Sequence, residues 1–159
     1  MELFEDKMRQ GGQPAIEQAA RFFMKDDPVH KTLREIAEKL GGLGIDYAVV
    51  GGMALVAHGY DRTTADVDVL VTRPGLDAIH DALIGLGYVQ PFAGSKQLRD
   101  TRTGVRIEFL VTGQYPGDGK PKPVSFPAPA KASVEIDGVR YAALPTLIEL
   151  KLASGMTNP

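Results

Sequence analysis

The period of the apolar positions changes several times along the chain, and each change marks an element. Behind Pro14, Ile16, Ala19, Ala20 and Phe23 recur at helical spacing until Asp26-Asp27-Pro28 breaks the run. Leu33, Ile36, Ala37 and Leu40 form the stripe of a second helix over about 29–40, which Gly41-Gly42 and Gly44 end. Asp46-Tyr47-Ala48-Val49-Val50 then reads as a short apolar strand, followed by Gly51-Gly52 and a helix-like run over 53–58. Asp66-Val67-Asp68-Val69-Leu70-Val71 alternates with the period of a strand. Pro74 and Gly75 open a helix with Leu76, Ile79, Leu83 and Ile84 on its apolar face; Gly87 closes it, and Tyr88-Val89 resumes extended structure. A hairpin is expected over 96–112, its second arm being 105–111. The proline- and glycine-rich stretch 113–129 is a loop, long enough to be functional or mobile. A second hairpin over 133–142 turns on Asp137-Gly138, and a last helix runs from Pro145 to Leu152.

This order predicts an α+β fold with a mixed or antiparallel sheet covered on one side and flanked by helices. There is no internal repeat, and 159 residues suit one domain. We divide it into a helical region (1–45), a core carrying the chemistry (46–112), a loop (113–130) and a hairpin with a C-terminal helix (131–159). The sequence stops at Met156-Thr157-Asn158-Pro159, soon after that helix, which reads as a truncation.

Composition narrows the chemistry. With 43% hydrophobic and 24% charged residues, the chain is folded and globular. Without cysteine, disulfides, thiolate metal sites and cysteine nucleophiles are excluded. Three scattered histidines, His30, His58 and His80, argue against a zinc centre. No apolar run is long enough to span a membrane and the N-terminus, with Glu2, Glu5 and Asp6, is acidic where a signal peptide would be basic, so a cytoplasmic protein is expected. The net charge of -2 argues against a uniformly basic nucleic-acid binder. The charge is uneven, however: 94–131 carries seven basic residues (Lys96, Arg99, Arg102, Arg106, Lys120, Lys122, Lys131) and three acidic ones. That stretch surrounds Glu108, so its positive field could draw a triphosphate or an RNA end to that region.

Three acidic residues in strand contexts carry the chemistry. Asp66 and Asp68, two apart, project from one face of a strand, while Val67, Val69 and Val71 take the other. Glu108 stands between Ile107 and Phe109 in the same way. Should the two strands be neighbours, the carboxylates cluster and repel unless a cation sits among them, and hard oxygen donors suit Mg²⁺. Mg²⁺ in turn suits a nucleoside triphosphate, with which it shares phosphate oxygens. Gly51-Gly52, between a strand and a helix, lets a phosphate approach the backbone. Each signal has a plainer explanation alone: a tight turn for the glycines, a solvated or pairing-blocking face for the aspartates, a surface residue for Glu108. Their order along one chain favours the functional explanation.

Val49-Val50-Gly51-Gly52, thirteen further residues, then Asp66-Val67-Asp68-Val69 resembles the signature of the DNA-polymerase-β-like nucleotidyltransferase superfamily. Glu108 in Arg106-Ile107-Glu108-Phe109-Leu110 fits its third carboxylate. The Gly-Gly variant with Arg62-Thr63-Thr64-Ala65 before the aspartates is most similar to the AbiEii-type enzymes of toxin–antitoxin and phage-defence systems. The resemblance implies Mg²⁺-dependent transfer of a nucleoside monophosphate from an NTP to a hydroxyl of a tRNA, a protein or a small molecule. Asp66 and Asp68 would hold two Mg²⁺ ions, Glu108 would hold the ion that activates the acceptor, and Gly51 and Gly52 would seat the triphosphate. A cognate toxin or antitoxin partner is also implied. The alternative is a catalytically inactive domain of the same type that senses nucleotide or binds a partner.

Four further residues have two readings each. Arg62 reaches phosphate, or pairs with Asp61 or Asp66. Thr64 donates to phosphate, or caps a turn. Lys151 reaches into the cleft, or snorkels from a half-buried helix. His58 touches base or ribose, or complements a helix end.

Overall fold

The computed structural model describes residues 25–155 together with 16, 17, 21 and 22. The helix expected behind Pro14 falls largely outside the described residues; within it, Phe22 is buried.

The first full helix, α1 (Pro28–Gly42), begins where Pro28 supplies a preset first turn and the Asp27 side chain accepts from the His30 amide. Its stripe of Leu33, Ile36, Ala37 and Leu40 is buried as its spacing predicts. Strand β1 (Tyr47–Val50) leads into α2 (Gly51–Ala57), then β2 (Asp66–Val71) and α3 (Arg73–Leu83). Helix α2 starts at Gly51 itself, two residues before the expected helical run. Strands β3 (Tyr88–Val89), β4 (Gln97–Asp100) and β5 (Arg106–Val111) follow, the last two pairing antiparallel as the expected hairpin. After the loop come a single turn, α4 (Pro129–Ala132), the hairpin β6 (Ser133–Ile136) and β7 (Val139–Ala142), and α5 (Leu144–Ser154). That hairpin turns on Asp137 (φ 51°) and Gly138 (φ 80°), the left-handed pair that matches the strand twist.

All seven strands form one mixed sheet in the order β3-β4-β5-β2-β1-β7-β6. β1 runs antiparallel to β2 and parallel to β7, and β2 runs parallel to β5. The register pairs Val67 with Ile107 and Val69 with Phe109, four side chains with no exposed surface. Each such burial is worth about 1.5–3 kcal/mol, which holds this register against a one-residue slip that would turn the carboxylates into the core.

One expectation needs correction. All four residues of β1 are buried, so the centre of the sheet is covered on both faces rather than one. The face with Val49, Val69 and Phe109 belongs to the main core. The other, with Val50, Asp68 and Glu108, lies beneath α2, α5 and the loop. Among the described residues no helix is long and apolar enough to cross a membrane.

The α3 cap offers a local test. Thr72 accepts from the Gly75 amide at 3.1 Å. Thr72→Ala is expected to lower stability by about 1 kcal/mol in urea titrations, with an unchanged m-value.

Candidate active site

The site is built on two neighbouring parallel strands. Because β2 and β5 pair in register, Asp68 stands directly beside Glu108, and Asp66 beside Arg106, on the half-buried face. Alternation does the rest: Val67, Val69, Ile107 and Phe109 go to the core and push the charged residues to the other side.

At the next strand, Val50 pairs with Asp68, so the chain enters α2 directly above that carboxylate. Gly51 takes φ +67°, and a Cβ there would run into Asp68 Oδ2 and lie 3.1 Å from its Cγ. Only glycine permits this approach. A Cβ at Gly52 would come within 3.0 Å of the Thr64 side chain, so the second glycine makes room for the turn before β2.

Electrostatics set the carboxylates apart. Burial first, then Glu108 and Asp66, push the Asp68 carboxyl up from 3.8 to about 7, against the opposing pull of Arg106. Asp66 is held instead by an ion pair, Arg106 Nη2 to Asp66 Oδ2 at 2.6 Å, with Asp66 Oδ1 buried and without a hydrogen-bond partner. Among the described residues no three His, Cys, Asp or Glu side chains converge as a metal-ligand set.

A cavity of about 310 Å³ opens over the pair. Gly51, Asp68, Glu108 and Lys151 form its polar side, and Leu55, Leu110, Phe126, Leu147 and Leu150 its apolar wall. A second, more polar cavity of about 520 Å³ adjoins it across Glu108, with Lys96, Gln114, Tyr115 and Asp118 among its lining residues. Glu108 borders both.

No family model matches the chain, and no curated protein does. Among solved structures, a Thermotoga maritima protein assigned provisionally as a nucleotidyltransferase superposes with a TM-score of 0.57 at 17% identity, over 77% of this chain and 81% of that one. The chain has a nucleotidyltransferase-like fold.

Within this fold the sequence-derived residues separate into groups. Gly51, Asp68, Glu108 and Lys151 border one cavity, although Lys151 itself is largely exposed. Asp66 shares the carboxylate face but is engaged by Arg106. Thr64 sits against Gly52 and donates, at a long 3.5 Å, to the Asp66 carbonyl, which is the turn-capping reading. Arg62 is exposed and borders neither of these two cavities, and the Asp66 partner is Arg106 instead. His58 bonds through Nε2 to the Ala142 carbonyl at 2.9 Å, tying α2 to β7. The apolar wall was missed because Phe126, Leu147 and Leu150 look like ordinary core positions. Arg106 had a partial signal: Arg106-Ile107-Glu108 repeats the spacing of Asp66-Val67-Asp68, so a register that sets Glu108 beside Asp68 also sets Arg106 beside Asp66.

Proposed function

We propose that the chain is a nucleotidyltransferase that uses a divalent cation to transfer a nucleoside monophosphate from an NTP to a hydroxyl. The observation that carries this reading is the Asp68–Glu108 pair, side by side beneath Gly51 at the mouth of a cavity with one apolar wall.

The donor set fits a cation. Asp68 and Glu108 are adjacent hard-oxygen ligands whose mutual repulsion a cation would relieve, and Mg²⁺ is commonly held by one or two carboxylates plus substrate phosphates. Asp66 has one oxygen, Oδ2, on Arg106 and would have only Oδ1 to offer a second ion. Bound Mg²⁺ would supply charge stabilisation for the phosphates and the acceptor oxygen.

The chain's own residues do the rest. Gly51 lets phosphate oxygens come close to the backbone. Lys151, across the cavity, balances phosphate charge. The wall of Leu55, Phe126, Leu147 and Leu150 excludes water and takes the base and ribose. Glu108, bordering both cavities, stands where an acceptor in the second would meet the nucleotide in the first. The acceptor oxygen bonds to the α-phosphorus, the bond to the β-phosphate bridging oxygen breaks, pyrophosphate leaves, and the hydroxyl proton passes to solvent. An RNA end, a protein side chain and a small molecule all supply such a hydroxyl. The AbiEii-type setting, with its cognate partner, rests on the Gly51-Gly52 variant with Arg62-Thr63-Thr64-Ala65 before Asp66 and Asp68.

The test is a set of thermal melts with Mg²⁺ and each of the four NTPs. Ligand at a hundredfold over its Kd adds about 2.7 kcal/mol. For a chain of this length that is roughly 5–10 °C. The shift should require Mg²⁺ and vanish in Asp68→Asn/Glu108→Gln. No shift with any NTP would overturn the proposal. Lys151→Ala should raise the KM for NTP about tenfold with little change in kcat or melting temperature.

The Asp66–Arg106 pair favours a second reading, a nucleotide-sensing or partner-binding module of this fold without turnover. Mg²⁺-dependent NTP binding without pyrophosphate release, across acceptors from all three classes, would select it.

A further inference from the structure

The second cavity, of about 520 Å³, meets the first at Glu108 and has the size of a small-molecule site. Residues 113–119 form most of its wall. That stretch is pinned at its base, where the Gly113 and Phe126 amides donate to the Phe126 and Gln114 carbonyls at 2.9 and 2.8 Å. Further along, Gly117 packs so closely on the end of α5 that a Cβ there would lie 2.6 Å from the Ser154 carbonyl oxygen. The wall is built in advance rather than assembled around a ligand.

The charges on this cavity are unequally met. Two carboxylates and one ammonium line it: Glu108, Asp118 and Lys96. Asp118 is taken by Lys122, whose Nζ pairs with its Oδ1, and by the Lys120 amide at 3.0 Å. Lys96 has only a neutral partner: its Nζ donates to Gln114 Oε1 at 2.9 Å, and among the described residues it makes no ion pair. Gln114 accepts from Lys96, which leaves its own side-chain NH₂ to donate. A positive, donor-rich pair of side chains therefore shares the cavity with Glu108. Lys96 immediately precedes Gln97, which pairs with Glu108 across β4 and β5, and neighbouring strands lie about 4.8 Å apart.

We propose that this cavity takes the acceptor, and that the acceptor is an anionic small molecule: its phosphate or carboxylate sits on Lys96 and Gln114, and its hydroxyl, a few bonds away, meets Glu108. The inference rests on the nucleotidyl-transfer reading and narrows its acceptor class. The product is the nucleoside monophosphate esterified to that hydroxyl; pyrophosphate and the hydroxyl proton leave. A cationic hydroxyl compound would leave Lys96 unmatched and would gain only Glu108, which the proposed divalent ion already engages.

The experiment follows the Lys96 Cε–Hε resonance of the whole chain while glycerol 3-phosphate, glycerate, glycerol or ethanolamine is added at constant ionic strength. The two anions should move it saturably, and glycerol and ethanolamine should not. Lys96→Gln should weaken glycerol 3-phosphate binding about tenfold, the loss of one charged hydrogen bond. Lys131→Gln, the same change of charge outside both cavities, should alter it little. With Mg²⁺ and NTP, glycerol 3-phosphate should release pyrophosphate about tenfold faster than glycerol at equal concentration. A Lys96 resonance indifferent to both anions, or equal losses in the two variants, would overturn the inference. So would a resonance moved as strongly by Mg²⁺–NTP, which would put Lys96 in the nucleotide site, or moved at far lower concentration by an oligonucleotide with a free 3′-hydroxyl, which would make the acceptor a nucleic-acid end. In each of these cases an NTP-dependent melting shift in wild type would leave nucleotidyl transfer standing. Without that shift, both readings fall.

Discussion

Asp68→Asn should abolish nucleotidyl transfer and yet make the metal-free protein melt higher at pH 8. The first effect follows, on the proposed function, from losing a cation ligand: several kcal/mol of transition-state stabilisation correspond to a rate loss of about a thousandfold or more. The second follows from the carboxyl's position. It titrates near 3.8 in an unfolded chain and near 7 here, raised by burial and by Glu108 and Asp66. Between those values the folded protein holds a proton that the unfolded chain has released. Stability from this group is therefore full below about pH 4, falls as pH rises to about 7, and is level above that. After discounting for partial exposure and coupling to its neighbours, the fall is on the order of 2 kcal/mol. Asparagine keeps the shape and removes the charge. In chelating buffer the variant should melt roughly 4–8 °C above wild type at pH 8, with the gap closing toward pH 4. Mg²⁺ should stabilise wild type and not the variant. Parallel melting curves at every pH would show that Asp68 is not under repulsion.

The legibility of this site in the sequence was uneven, for physical reasons. Alternation in Asp66–Val71 and Arg106–Val111 put the acidic residues on one face and the valines, Ile107 and Phe109 in the core, because a period of two leaves no other choice once one face is buried. The Asp137-Gly138 turn was equally plain, since few dipeptides suit two successive left-handed residues. Register was not legible. β2 and β5 become neighbours only through a crossover containing α3, β3 and β4, and nothing local states which residue of one meets which of the other. The Asp68–Glu108 juxtaposition and the Asp66–Arg106 pair both follow from that register. Arg62 kept two readings for a related reason: its segment has no period to orient a side chain. The wall formed by Phe126, Leu147 and Leu150 was hidden because apolar residues at a cavity and in a core have the same pattern.

Gly51→Ala should be damaging out of proportion to its single added methyl. Two costs add. A non-glycine residue at φ +67° is disfavoured by about 1–2 kcal/mol. The new Cβ also meets Asp68 Oδ2, which must swing away from Gly51, disturbing the arrangement on which the proposed cation site depends. Together these should lower stability by roughly 2–4 kcal/mol and reduce transfer by about a hundredfold or more. The two causes separate in a double-mutant cycle. In an Asp68→Ala background the carboxylate is gone, and what remains near the new Cβ is the residue-68 Cβ at 3.3 Å, a contact that a small shift relieves. Gly51→Ala should then cost only the backbone term, about 1–2 kcal/mol, and the cycle should show a coupling of about 1–2 kcal/mol in urea unfolding. An additive cycle would mean that Gly51 serves the backbone turn alone. A coupled one ties the first residue of α2 to the carboxylate beneath it, so that glycine and aspartate act as one unit although sixteen residues separate them in the chain.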